Sequence, residues 1–145
     1  MRVAATIGER SVCSRDQVGA VIVSKDNRII DSGYNGPPRG MYRVGGNCAS
    51  WCPRVQKHHV GDMSPIYDDC VSLHAEQNAL MFSDRRLREG GTIYVSSSVC
   101  GTCAKLIANS GLAQCVVMLT DAPHRNAGKW ISFMEQCGVN VVELV

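Results

Sequence analysis

Between residues 92 and 142, strand-length apolar runs alternate with helix-length patterns across short connections. That alternation constrains the fold more than any other feature, because strand–helix–strand steps of this length make parallel strands covered by helices. Residues 92–96, 115–119 and 139–142 read as strands. Residues 103–109 and 126–136 read as helices, closed by Ser110-Gly111 and by Gly138. Upstream, the apolar run 18–23, the polar turn Ser24-Lys25-Asp26-Asn27 and the run 28–32 read as an antiparallel hairpin. A short helix over 2–12 opens the chain, and a helix over 72–88 precedes Gly90-Gly91. The expected fold is α/β: a five-stranded mixed sheet in a three-layer α/β/α arrangement, forming one domain over residues 1–145. Residues 34–69, rich in Gly, Pro and Cys, read as a long loop, and a loop of that length is functional or held by something such as a metal.

Composition excludes several classes. With 145 residues, 45% hydrophobic and 19% charged, the chain has material for one packed core and is not wholesale disordered. A formal net charge of +2 is too mild for an obligate nucleic-acid binder, and no apolar run is long enough to span a membrane. Residues 1–10 show no signal-peptide core. The eight cysteines therefore point to reduced, metal-binding thiols in a cytoplasmic protein rather than to four disulfides, with Cys115 and Cys137 reading as core residues inside apolar runs.

Two segments carry chemistry, Leu73-His74-Ala75-Glu76 and Val99-Cys100-Gly101-Thr102-Cys103, each opening a helix. Cys100 and Cys103, three apart, face the same way from a first turn, where the helix terminus favours thiolate. His74 adds a third ligand. Three protein ligands leave a tetrahedral position open for water, as in a catalytic zinc site, and Glu76 is placed to move that water's proton. A Cys-x-x-Cys pair alone also fits a redox pair or half of a structural zinc site. His-x-Glu opening one helix and Cys-x-x-Cys opening the next favours the catalytic reading.

These motifs resemble those of the zinc-dependent cytidine and deoxycytidylate deaminase superfamily. Arg10-Ser11-Val12-Cys13, the run 18–23, Gly33-Tyr34-Asn35-Gly36-Pro37-Pro38-Arg39-Gly40 and His74-Ala75-Glu76-Gln77-Asn78-Ala79-Leu80 resemble its deoxycytidylate branch. The resemblance spans residues 10–142 and implies a cytidine-deaminase-like fold. It implies hydrolysis of dCMP to dUMP and ammonia, with zinc on His74, Cys100 and Cys103. Glu76 then shuttles a proton from water to N3 and to the leaving amino group. It also implies that Asn35 meets the sugar and that the Ala75 backbone, with a residue near 98–100, reads the pyrimidine. Ser24, Lys25 and Arg39 are phosphate candidates by position. Relatives are often homohexamers activated by dCTP and inhibited by dTTP, which brings in Gly33, Tyr34, Asn35, Gly36, Asn78 and Arg85. A second, structural zinc on Cys13, Cys48, Cys52 and Cys70, with His58 and His59 as substitutes, would hold the long loop.

Two departures stand out. Val99 replaces the family's usual proline before the first cysteine, and Thr120-Asp121-Ala122-Pro123-His124-Arg125 lacks an aromatic residue common in relatives. A modified cytosine nucleotide, such as 5-substituted dCMP, is therefore the alternative substrate. A tRNA or polynucleotide deaminase shares the zinc motif but not the charge balance. The source implied is a bacterium or a phage.

Overall fold

In the computed structural model, which describes residues 1–44, 48–57, 69–121 and 125–145, the apolar run after Val18 forms strand β1 (Gly19–Val23). It turns back through Ser24, whose carbonyl accepts from Asn27 and whose backbone amide donates to Arg28, into β2 (Ile29–Tyr34). Strands β3 (Thr92–Val95), β4 (Gln114–Met118) and β5 (Asn140–Leu144) complete a sheet ordered β2-β1-β3-β4-β5. β1 is antiparallel to β2 and β3, whereas β3, β4 and β5 run parallel. The expected five-stranded mixed sheet with its opening hairpin is therefore what forms.

The register places Ala20 opposite Val95, Ile22 opposite Ile93, and Ile93 and Val95 beside Cys115 and Val117. All six are buried on one face of the sheet. Each large aliphatic side chain so buried contributes about 1.5–3 kcal/mol. Helices α3 (Ala75–Phe82), α5 (Gly101–Ala108) and α6 (Ala127–Gln136) supply Ala75, Ala79, Cys103, Ile107 and Met134 to the same core. Helix α1 (Arg2–Gly8) covers the other face, where the Gly19 backbone lies directly against Ala4 and Gly8.

Several boundaries differ from expectation. α1 stops at Gly8 rather than residue 12, where Gly8 lies against the Gly19 backbone. The helix expected over 72–88 is two: α3, then α4 (Arg85–Arg88). Ser83 is extended (φ −74°, ψ 138°), and Asp84 restarts the helix by accepting from the Arg86 backbone amide at 2.8 Å. Apolar spacing had carried the pattern through to Leu87, which is exposed. Cys115 is buried, but Cys137 caps the end of α6 before the left-handed Gly138 and is exposed.

The segment 34–69 is not structureless among its described residues. Gly36 pairs with Leu73, residues 39–44 and 48–50 form 3-10 turns, and α2 (Pro53–Lys57) follows. These pieces are too short for an apolar period to show in the sequence. Cys48 and Cys52 are fully buried and Arg54 is 8% exposed, so the segment is anchored. His58 and His59 lie outside the described residues.

Candidate active site and metal centre

His74 and Cys100 occupy equivalent places, each the extended residue from which a helix starts (φ −75°, ψ 159° and φ −84°, ψ 167°). The Gln77 side-chain oxygen accepts from the His74 backbone amide at 2.7 Å, which fixes the entry to α3. Cys103, three residues into α5, faces the same point as Cys100. Both Sγ atoms stand 3.4 Å from His74 Nδ1, and the three ligand atoms lie within 4.8 Å of one another. Zinc bonds of about 2.3 Å to sulfur and about 2.0 Å to nitrogen, at tetrahedral angles, put sulfur and nitrogen about 3.5 Å apart. The donor set therefore fits zinc in both type and spacing. Val99, in place of proline, is buried and leaves this turn intact.

The charges agree. The Cys100 thiol is held down to about 3, first by the Cys103 thiol that donates to it and then by His74, against the opposing effect of burial. Cys103 keeps its proton because it donates to Cys100 and is buried. His74 is raised, chiefly by its hydrogen bond with Cys100. A divalent cation held by these residues would take the place of the Cys103 proton and offset the charge of both thiolates. Glu76, the second residue of α3, is 3% exposed, and burial pushes its carboxyl above the usual carboxylate range. A buried carboxyl beside the His74, Cys100 and Cys103 cluster is placed to take and return a proton.

This centre forms one end of a cavity of about 300 Å3. The cavity opens past the carboxyl ends of the parallel strands β3 and β4, the usual ligand position in such sheets. Ser98 and Cys100 after β3, and Thr120 and Asp121 after β4, contribute to its wall. Asn35 lines it too, with Oδ1 accepting from the Val18 amide at 2.8 Å and Nδ2 donating to the Asp16 carbonyl at 2.8 Å. Its carboxamide thus ties the segment leading into β1 to the cavity rim.

Other expected residues lie elsewhere. Ser24 and Lys25 sit in the β1–β2 turn, beside Thr92 at the opposite end of β3 from the site, because a hairpin carries its turn away from its open end. Arg39 is exposed in the 3-10 turn 39–44 and does not line the cavity. Ala75 is fully buried against Gly33 rather than in the cavity wall. Cys13, Cys48, Cys52 and Cys70 all border the cavity, but among the described residues only His74, Cys100 and Cys103 bring three ligand atoms together.

Three arginines that sequence reading passed over line the cavity: Arg15, Arg54 and Arg125. Arg125 donates to Ser97 Oγ and to the Ser98 carbonyl, both at 2.6 Å, and pairs with Asp16 at 2.6 Å. The segment after β4 was the available signal for Arg125. Arg15 and Arg54 carried none, since isolated arginines in loops are ordinarily solvated.

The comparisons match this geometry. Residues 1–119 match the family described as the cytidine and deoxycytidylate deaminase zinc-binding region. The chain belongs to the cytidine and deoxycytidylate deaminase family. Within it, the deoxycytidylate deaminase of Mycobacterium phage D29 is 41% identical over 117 residues, covering 79% of this chain and 87% of that one. The deoxycytidylate deaminase of Enterobacteria phage T4 is 31% identical, covering 97% and 86%. The dCMP deaminase of cyanophage S-TIM5, solved with dCMP and dUMP, superposes with a TM-score of 0.72 at 26% identity, covering 99% of this deaminase-family chain and 92% of its own.

Proposed function

We propose that this chain is a zinc-dependent deaminase that hydrolyses dCMP to dUMP and ammonia. The carrying observation is the buried Glu76 carboxyl beside His74, Cys100 and Cys103 at the end of a nucleotide-sized cavity. His74, Cys100 and Cys103 hold the metal, and when bound it supplies an activated water as the nucleophile for C4. Glu76 accepts the water's proton and delivers it to ring N3. As the C4–N bond breaks, Glu76 takes the remaining proton from the new C4 hydroxyl, leaving the C4 carbonyl, and hands it to the amino nitrogen, which leaves as ammonia. Ser98 and Asn35 border the space for base and sugar. Arg15, Arg54 and Arg125 place positive charge along the cavity wall for the 5′-phosphate. Purified protein should release ammonia fastest from dCMP when compared with CMP, deoxycytidine, dCTP and 5-substituted dCMP. A faster reaction with the 5-substituted nucleotide would favour the second reading, which rests on the wall formed by Thr120 and Asp121 in place of a usual aromatic.

Regulation by dCTP and dTTP is part of the same proposal. Asn78 Nδ2 donates to the Tyr34 carbonyl at 2.8 Å, and Gly36 exchanges backbone hydrogen bonds with Leu73 at 3.0 and 2.9 Å. The Gly33–Gly36 loop is thereby stitched to the helix that carries Glu76. Arg85 stands apart on α4, in an exposed pair with Glu89 at 3.6 Å. A hyperbolic rate curve unmoved by either triphosphate would remove this reading. A second zinc on Cys13, Cys48, Cys52 and Cys70 would need their sulfurs drawn closer together than they stand here, and metal analysis giving one zinc per chain would remove it. Assembly into a homohexamer is supported by the exposed Met81, Phe82, Leu87 and Leu106 on α3, α4 and α5, and sizing by light scattering tests it. Thiol ligands suit a reducing bacterial or phage-infected cytoplasm. No helix among the described residues is long and apolar enough to cross a membrane.

A further inference from the structure

We propose that Trp130 is a positioning residue for the metal-binding turn: its indole, seated on Gly101, fixes the turn from Cys100 to Cys103 in the geometry that holds zinc. The proposal rests on the zinc reading above and extends it to helix α6. Gly101 is the first residue of α5 and does not adopt a left-handed conformation, so helix geometry does not call for glycine there. Alanine would be the better helix former. Space is the reason instead. A Cβ on Gly101 would stand 2.5 Å from Trp130 Cε2 and 2.9 Å from Cη2. The indole therefore fills the volume directly over the peptide that joins the two thiol ligands.

The ring is itself held from both helices. Phe133 meets it edge to face, with centroids 6.0 Å apart at 76°. The ammonium of Lys129, on α6, lies 4.8 Å from the ring centroid, and that of Lys105, on α5, lies 5.7 Å away. Trp130 does not line the cavity, so it reaches the reaction only through the turn.

The test measures zinc release to a chelator, the absorption bands of the cobalt-substituted protein, and kcat and KM for dCMP. Trp130→Phe lacks the Cζ2–Cη2 edge that meets Gly101 and should release zinc faster than the parent but more slowly than Trp130→Ala. Trp130→Ala should release zinc on the order of ten-fold faster and shift the cobalt bands, with KM for dCMP unchanged in the fully loaded enzyme. Gly101→Ala should also shed zinc faster, and adding Trp130→Ala to it should bring release no lower than that of Trp130→Ala alone, because the clash and the supporting indole are removed together. Wild-type release rates and cobalt bands in Trp130→Ala, with only a lower melting temperature, overturn the proposal. So does wild-type zinc retention in Gly101→Ala. A parent protein that holds no zinc overturns the metal reading itself, and that result is read before any variant is made.

Discussion

Glu76 lies two residues beyond His74 and is almost wholly buried, a place suited to proton transfer. Glu76→Gln should keep zinc and fold while lowering kcat by about two to four orders of magnitude, as measured by ammonia release and zinc content. Arg125 is the residue to test for phosphate binding: Arg125→Ala should raise KM for dCMP by about ten-fold and leave deoxycytidine turnover unaffected. Cys115 carries a pH prediction. Burial pushes its thiol from an ordinary 9.0 up to about 12, with Glu76 adding to the effect. Below pH 9 the thiol is protonated in both the folded and the unfolded chain and adds no pH dependence. Between pH 9 and about 12 the unfolded chain ionises while the folded one does not, so stability falls by roughly 1 kcal/mol per pH unit. Urea unfolding of Cys115→Ala should lose less stability than the parent over that window. His74, Glu76, Cys100 and Cys103 were legible in the sequence because ligand chemistry demands those residue types at helix starts. Arg15 and Arg54 were not, because an arginine's role depends on what the fold sets across from it.

At the scale of elements, the contact between β2 and α3 is the most constrained. A Cβ on Gly33 would stand 2.5 Å from the Ala79 backbone nitrogen and 3.0 Å from Asn78 Cβ, and closer still to the Ala75 carbonyl. Two backbones have no rotamer with which to yield. Gly33→Ala should push α3 off the sheet, cost about 1–3 kcal/mol in urea unfolding and lower kcat with it, since α3 carries Glu76. Strand positions were legible from continuous apolar runs, as in β4, where Cys115, Val116 and Val117 are buried on both faces. The break between α3 and α4 was harder to see. Leu80, Phe82 and Leu87 continue an apolar spacing, whereas the stop depends on Arg88, whose guanidinium donates to the Leu80, Ser83 and Ser110 carbonyls at 2.8, 2.9 and 3.1 Å. A single arginine thereby ties the end of α3 to the end of α5, a contact set by packing and not by local periodicity.

At the scale of the molecule, metal and fold are coupled. His74 at the start of α3 and the two cysteines at the start of α5 join separate helices across the core, so an ion bound there stabilises the native arrangement by mass action. Chelation should lower the melting temperature by several degrees and abolish turnover, and zinc should restore both, as calorimetry with ammonia release will show. The sequence by itself determined the α/β class, the opening hairpin, the parallel strands and the cluster of His74, Cys100 and Cys103 with Glu76 beside it, because each follows from short-range periodicity or from adjacent residues whose chemistry admits few uses. Only the tertiary structure decided that Arg125 reaches back to Asp16, that Trp130 settles on Gly101, and that Ser24 and Lys25 stand away from the site. Those outcomes depend on which segments, far apart along the chain, end on the same side of one twisted sheet, and no local pattern of residues encodes that distance.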